Sequence, residues 1–236
     1  METLLQYISA FEPTFPSKIY GADRAEIEIV EQLIGHPLPT QYMSYLSYMG
    51  HSNGNLLPFQ SQTTDITTII DTYRDMLASG DWGIPRDCIL IGGDIFPSQE
   101  LALRDNQNPE PSVWVIELEF YVYYYAASLE GLLWRNAFMK YPLKSLPHYG
   151  YWMVRQKSLL STAKNLVTEL GFQELWFSDK VVYCGERADA LIAIEQFDGG
   201  GCHIYLSTEL RSNFNNLGEK LVNCLDAEYL SNITMS

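Results

Sequence analysis

Residues 25–58 read AEIEIVEQLIGHPLPTQYMSYLSYMGHSNGNLLP and contain the signals for two helices and a tight turn. Asp23 stands three residues before Glu26, which is the spacing of a capping box at the start of a helix. Apolar residues then recur every three or four positions, as on a helix with one buried face. Gly35 can take the left-handed conformation that ends a helix. Pro39 fits the first turn of the next helix, where its missing N–H costs nothing.

The second helix is expected to bury an aromatic face and to stop at a polar turn. The residues on that face are Tyr42, Tyr45, Leu46 and Met49. Residues 51–55 read His-Ser-Asn-Gly-Asn, which cannot continue a helix and favours a sharp reversal of the chain. The stretch therefore predicts a helix, a break, a second helix and a turn.

This stretch resembles the signature of the SUKH superfamily, in which an acidic amphipathic helix precedes a Leu-Pro, a tyrosine three residues later and an Asn-Gly turn. The matching residues are Glu31, Leu33, Gly35, Leu38, Pro39, Tyr42, Leu46, Asn53 and Gly54. Further matches at Ile91-Gly92 and Ala126-Ala127-Ser128 extend the resemblance over about residues 22–141.

The resemblance implies both a fold and a function. The superfamily contains bacterial immunity proteins that neutralise toxins and fungal regulators of cell-wall assembly. The resemblance implies a mostly antiparallel sheet packed with helices, and it implies a protein that binds other proteins. Immunity proteins of this kind act by occluding a toxin domain, often a nuclease with a positively charged cleft, and need no catalytic residue. The resemblance thus implies a binding protein and not an enzyme.

Outside this stretch, hydrophobic periodicity predicts further helices and a small antiparallel sheet of about four strands. The helices are expected at Glu2–Phe11, from Asp65 to about Ala78 with Thr64 as its cap, and from Ser128 to about Tyr141. The strands are expected at Cys88–Ile91, Glu100–Arg104, Val113–Glu117 and Glu119–Ala126.

The last third of the chain has its own pattern. Tyr141–Tyr151 contains two prolines and a glycine and is predicted to be a linker. Beyond it we expect a helix, four strands and a helix, at Ser158–Leu170, Phe172–Phe177, Val181–Cys184, Ala188–Gln196, Cys202–Ser207 and Asn216–Tyr229. The prediction is an α+β fold with a SUKH-like domain at 1–149 and a smaller α+β domain or extension at 150–236.

Charge limits the partners. The formal net charge is −14, and residues 1–149 carry 18 acidic against 8 basic side chains. Such an excess of acid discourages binding to nucleic acid or anionic lipid and favours a basic partner by steering. Acidity can also simply keep a protein soluble. No apolar run approaches the roughly 20 residues that span a bilayer, and the N-terminus lacks the basic flank of a signal peptide. We therefore expect a cytoplasmic protein.

No motif points to catalysis, a cofactor or a metal. The four cysteines and four histidines are scattered, so the cysteines are interpreted as small buried apolar residues in a reducing compartment. Residues 198–201 read Asp-Gly-Gly-Gly and favour a hairpin loop over a phosphate-binding loop. Tyr121 and residues 123–125 could stack on a ligand, but tyrosines more often line a sheet.

Acidic and aromatic residues on or beside the strands are the candidate partner-binding site. They are Trp82, Asp87, Asp94, Glu100, Asp105, Trp114, Glu117 and Glu119. The acids could form a negative face for a basic toxin, with the tryptophans as anchors, or they could be ordinary solvated side chains. A regulatory or scaffold module is the alternative function, and an enzyme with a site between the domains is the third.

Overall fold

The N-terminal part of the chain consists, in the computed structural model, of helices followed by an antiparallel sheet. The structure describes residues 1–57, 64–93, 99–104, 108–198 and 200–230. The chain divides into two compact units, Met1–Leu133 and Trp134–Ser236. Helices and antiparallel sheets in both units confirm the predicted α+β class. The unit boundary precedes the predicted domain boundary at 149/150, and the two-domain assignment stays a prediction.

The first unit contains a helical half and a sheet half. Its helices are α1 (Glu2–Ser9), α2 (Arg24–Ile34), α3 (Thr40–Met49) and α4 (Ile66–Ser79), with a 3-10 helix at Phe15–Lys18. Two short strands, β1 (Ile19–Tyr20) and β2 (Ser52–Asn53), pair antiparallel. The larger sheet has the order β3 (Cys88–Gly93), β4 (Glu100–Arg104), β5 (Ser112–Glu117) and β6 (Phe120–Ala126), all antiparallel. Helix α5 (Leu129–Lys140) crosses into the second unit.

The helix boundaries follow the predicted signals in α2. The Glu26 backbone N–H donates to Asp23 Oδ1, and the Asp23 N–H donates to Glu26 Oε2, both at 2.9 Å, which completes the capping box. Gly35 ends the helix with φ +80°. Ser128 also acts as predicted, because its hydroxyl accepts a hydrogen bond from the Gly131 N–H at the start of α5. These caps confirm what the sequence indicated for α2 and α5.

The predicted cap of α4 is wrong by one residue. Asp65 accepts a hydrogen bond from the Thr67 N–H and is the cap. Thr64 is buried, and its hydroxyl accepts a hydrogen bond from the Asn53 side chain at 2.9 Å. A carboxylate caps a helix at least as well as a hydroxyl. Asp65 therefore takes the capping role, and the Thr64 side chain is buried instead.

The Asn-Gly turn of the signature is a packing element. The buried Asn53 amide oxygen accepts a hydrogen bond from the Leu56 N–H at 3.0 Å. Gly54 has φ +63°, and a Cβ there would lie 2.6 Å from a ring carbon of Phe15. The turn therefore requires glycine for both conformation and space.

Two buried tyrosines attach the helices to the sheet. The Tyr42 hydroxyl of α3 donates to the Leu90 carbonyl at 2.8 Å. The Tyr73 hydroxyl of α4 accepts from the Leu90 N–H at 2.9 Å. Strand β3 is an edge of its sheet, so these hydroxyls supply the partners that a neighbouring strand would otherwise provide. Burial raises the pKa of both tyrosines, which therefore stay protonated.

The second unit is built on a six-stranded antiparallel sheet. Its elements are α6 (Pro142–Ser145), β7 (His148–Val154), α7 (Leu160–Glu169), β8 (Gln173–Glu174), β9 (Val182–Arg187), β10 (Ala190–Glu195), β11 (Cys202–Thr208), α8 (Arg211–Leu225) and β12 (Glu228–Leu230). The strand order is β12-β7-β11-β10-β9-β8. The predicted order of elements is recovered, but two strands, β7 and β12, were missed.

The predicted linker at 141–151 is wrong. Helix α6 and the first half of β7 occupy it, and β7 pairs with both β11 and β12. Its prolines and glycine suggested a break, yet Pro142 only begins α6. Gly150 lies within β7, where a Cβ would meet the Phe214 ring at 2.5 Å. Close packing against this glycine, and not a loop, explains its presence in the strand.

The cysteine prediction holds for three residues and fails for one. Cys88, Cys184 and Cys202 are buried free thiols, whereas Cys224 on α8 is exposed.

We predict that Tyr73→Phe lowers the free energy of unfolding of the first unit by about 1–3 kcal/mol, the cost of a buried unpaired N–H at Leu90. Tyr48→Phe on α3 is the matched control, because the Tyr48 hydroxyl is hydrogen-bonded to the Glu2 side chain at 3.3 Å in an exposed position. Urea unfolding followed by tryptophan fluorescence measures both. Equal small losses in the two variants would contradict this role for Tyr73.

Candidate binding site

Three of the predicted acidic residues lie toward one end of the four-stranded sheet. Glu100 begins β4 and pairs with Ile116. Glu117 ends β5, pairs with Phe120 and is followed closely by Glu119 in the connecting turn. The register thus places these three residues near the β5–β6 turn, and a shared acidic surface there stays a prediction.

The other predicted residues lie elsewhere or outside the described part of the chain. Asp87 is exposed and precedes β3, whose first residue pairs with Arg104 at the opposite end of β4. Asp94 and Asp105 lie outside the described residues. The sheet therefore separates Asp87 from the acids at the β5–β6 turn.

The β5–β6 turn exposes large apolar side chains between acidic ones. We call residues 117–120 the hairpin tip. Leu118 is 66 % exposed and Phe120 is 71 % exposed. Leu118 also has φ +52°, a conformation in which glycine, asparagine or aspartate is usual at such turns. The tip keeps a strained, exposed leucine flanked by Glu117 and Glu119, and local strain of this kind concentrates at functional positions.

A second feature is an arginine held between two aromatic rings, which we call the arginine cluster: Arg104, Trp114 and Tyr121. The Arg104 guanidinium carbon lies 4.6 Å from the Trp114 ring centre and 4.2 Å from the Tyr121 ring centre. The two rings meet edge to face at 5.5 Å. Cation–π contact at these distances holds the guanidinium in place.

Asp87 lies at the edge of the arginine cluster, beside Tyr121 and Arg104. The Tyr121 hydroxyl donates to Asp87 Oδ1 at 2.7 Å, and Arg104 Nε lies 4.0 Å from Asp87 Oδ2. Burial, and then the hydrogen bond to Asp87, raise the pKa of Tyr121, so this hydroxyl remains a donor. The predicted acid Asp87 thus orients an aromatic ring as well as contributing charge.

The two predicted tryptophans have different surroundings. Trp114 belongs to the arginine cluster, is partly exposed and donates through Nε1 to Ser112 Oγ at 3.0 Å. Trp82 lies in the α4–β3 connection, with its ring 5.7 Å from that of Tyr73 and 5.0 Å from the Arg86 guanidinium. Trp82 therefore packs on a helix away from the strands that carry Trp114.

Sequence reasoning missed Arg104 and Leu118 and gave Tyr121 mainly a packing role. The alternation of ELALR, residues 100–104, places Glu100 and Arg104 on one side of β4 and Leu101 and Leu103 on the other, so a signal for Arg104 was present. The register shifts between β5 and β6 that bring Tyr121 toward Asp87 leave no such trace in the sequence.

Histidine joins two carboxylates in the helical half. His51 Nε2 lies 3.0 Å from Glu26 Oε2, and Nδ1 lies 3.1 Å from Asp65 Oδ1. Burial alone would lower the pKa of His51, but the hydrogen bonds to Asp65 and Glu26 outweigh it and raise that pKa. The pKa of Asp65 is lowered, since its bonds to Thr67 and His51 outweigh burial. Glu26 and Asp65 belong to the N-terminal turns of α2 and α4, so His51 links the starts of these two helices.

The second unit contains a group of neighbouring titratable side chains on β7, β10 and β11. Glu195 and His203 pair across β10 and β11, and the Tyr151 hydroxyl is hydrogen-bonded to His203 Nδ1. Burial raises the pKa of Glu195 against the opposing effects of Arg135 and Tyr205, and burial lowers the pKa of His203. Both side chains therefore tend toward their neutral forms inside the sheet face.

Within the described ranges, no group of three or more His, Cys, Asp or Glu side chains is placed to hold a metal ion. None of the helices in those ranges is both long enough and apolar enough to cross a bilayer.

The helix pair, the Asn-Gly turn and the four-stranded antiparallel sheet all lie within the segment that resembles the SUKH superfamily. Residues 21–135 match the model of the SMI1 / KNR4 family (SUKH-1), which confirms the SUKH resemblance of this segment. Both the hairpin tip and the arginine cluster fall inside the matched segment. No curated protein matches the chain.

We predict that His51 stabilises the first unit in a pH-dependent way. A raised folded-state pKa contributes stability that is complete below the unfolded value of 6.5 and is lost as pH rises through the folded pKa. His51→Asn should therefore lower the free energy of unfolding by about 2 kcal/mol near pH 6 and by less at pH 9.

Urea unfolding of both proteins at the two pH values measures this difference, and an NMR titration of the His51 ring should show a midpoint above 6.5. An equal loss of stability at both pH values would contradict a charged His51. Below the ordinary carboxyl range the difference should shrink again, because the lowered pKa of Asp65 makes its contribution disappear as pH falls through that pKa.

Proposed function

We propose that the protein is a non-catalytic, cytoplasmic immunity protein that neutralises a basic toxin domain by covering its active cleft. The proposal extends the SUKH resemblance of residues 21–135 to one of the roles found in that superfamily. The observation that carries it is the hairpin tip, where exposed Leu118 and Phe120 alternate with Glu117 and Glu119. Partners that pair with such a surface combine an apolar contact with basic side chains.

The residue types on this part of the sheet are those that dominate binding energy at protein interfaces. Trp, Tyr and Arg are enriched among hot-spot residues, particularly where they are packed against their neighbours before binding. Trp114, Tyr121 and Arg104 already contact one another, so little side-chain freedom would be lost on association. This pre-organisation lowers the cost of binding a partner.

Charge supports a basic partner. The chain carries a net charge of −14, and Glu100, Glu117 and Glu119 are placed around the β5–β6 turn. Opposite charges accelerate encounter and lose this advantage as salt rises. A nuclease domain with a positively charged cleft is a partner of this kind.

The charge proposal predicts salt-dependent binding to the toxin domain encoded beside the gene for this protein. The triple variant Glu100→Lys, Glu117→Lys and Glu119→Lys should slow association by about tenfold or more at low salt and flatten its salt dependence. Glu28→Lys, Asp71→Lys and Asp75→Lys, on the exposed surfaces of α2 and α4, form the control with the same change in net charge. Surface plasmon resonance over a salt series measures both.

Unchanged affinity and salt dependence in the sheet variant would refute the acidic surface. Absence of any neighbouring toxin that this protein neutralises on co-expression would refute the immunity role itself. Several weak partners in place of one tight complex would instead support the regulatory or scaffold alternative.

We predict that Leu118→Asn separates stability from binding. Asparagine adopts positive φ more easily than leucine, so the free energy of unfolding should stay equal or rise by up to about 1 kcal/mol. Loss of the exposed apolar side chain should weaken the toxin complex by about tenfold. Val222→Asn, which removes an exposed apolar side chain from α8 in the second unit, is the control for binding. A destabilised Leu118→Asn variant with full affinity would contradict this role of the tip.

A further inference from the structure

We propose that Arg104 is the receptor for a carboxylate of the protein partner, supplied by an aspartate or glutamate side chain. The inference rests on the proposed function, since it specifies what a partner must present to this sheet. It adds an acidic contact to a partner that the overall charge predicts to be basic.

Among the described residues, the Arg104 guanidinium contacts aromatic rings and makes no hydrogen bond. The guanidinium is fixed by the rings of Trp114 and Tyr121. Its Nε lies 4.0 Å from Asp87 Oδ2, which is beyond hydrogen-bonding distance. No hydrogen bond runs from the Arg104 side chain to any residue that the structure describes. The side chain remains 40 % exposed, so a ligand can reach it.

Asp87 makes no hydrogen bond to this arginine, because its nearer oxygen, Oδ2, lies 4.0 Å from Arg104 Nε. Its Oδ1 already accepts the hydrogen bond from the Tyr121 hydroxyl at 2.7 Å. The hydroxyl keeps its proton, because burial and Asp87 raise the pKa of Tyr121. A second carboxylate that approached Arg104 would therefore break no formed hydrogen bond, while Asp87 would continue to orient Tyr121.

A carboxylate is the chemical group that fits this arrangement. The planar guanidinium presents parallel N–H groups that match the two oxygens of a carboxylate. Stacking against rings removes much of the rotational freedom that an arginine otherwise loses on binding. Lysine at this position would keep the charge and lose both the stacking and the paired donors.

The surrounding charge favours a protein over a nucleic acid. A phosphate backbone would bring many negative charges toward a chain of net charge −14. A single carboxylate within a basic protein surface brings only one, and basic side chains beside it can pair with Glu100 and Glu117. The expected partner surface is thus one acidic residue surrounded by lysines or arginines.

The test uses the full chain and two peptide probes, acetyl-Lys-Asp-Lys-amide and its Asn counterpart. The indole N–H signal of Trp114 reports binding by NMR. The Asp peptide should bind at least about tenfold more tightly than the Asn peptide, and Arg104→Lys should remove that preference. Arg86→Lys is the matched control, because Arg86 also lies against an aromatic ring, that of Trp82.

Equal binding of the two peptides, or an unchanged preference in Arg104→Lys, would overturn the proposal. Tighter binding of a short single-stranded oligonucleotide at the same signal would also overturn it. The Arg104→Lys variant separates this proposal from the proposed function. If the variant neutralises the neighbouring toxin as well as the unaltered protein does, only the carboxylate contact is wrong. If the peptide preference holds and no toxin is neutralised, the carboxylate contact is supported and the immunity role falls.

Discussion

The first unit depends on two tyrosine hydroxyls that satisfy the backbone of one residue in an edge strand. Tyr42 and Tyr73 come from different helices and meet the carbonyl and the N–H of Leu90. Their hydrogen bonds fix the helical half to the sheet at a defined position along β3, and they occupy groups that would otherwise invite another strand. A register shift follows directly between Leu90 and Gly92, so the strand is anchored where its regular pairing is interrupted.

The signature residues are therefore mostly a scaffold. Asn53 and Gly54 build the turn, Tyr42 reaches the sheet, and Glu31 accepts a hydrogen bond from the Leu38 N–H at 2.8 Å across the break between α2 and α3. His51, just before the turn, links Glu26 to Asp65. Each contact joins two elements within the helical half or the helices to the sheet. Residues suited to binding, in contrast, lie on β4, β5 and β6 and are absent from the signature.

The sequence predicted local structure well where one residue type has a single physical use. The capping box at Asp23, the left-handed Gly35 and the alternating β4 are such cases. The prediction failed where contacts with distant residues determine the local structure. Pro142 and Gly150 suggested a linker, because their packing in α6 and against Phe214 depends on residues far along the chain. The arginine cluster could be foreseen only in part, since the contact between Tyr121 and Asp87 depends on irregular pairing of β5 with β6.

Internal anchoring by Tyr42, Tyr73 and Asn53 has a consequence for how such a domain can diversify. Substitutions at solvent-facing strand positions share no partner with these anchors, so their effects on folding should be nearly independent of them. Substitutions at these strand positions can then change which partner is bound with little effect on the free energy of unfolding, because the interior contacts provide that stability. One scaffold of this construction can therefore carry many different surface chemistries.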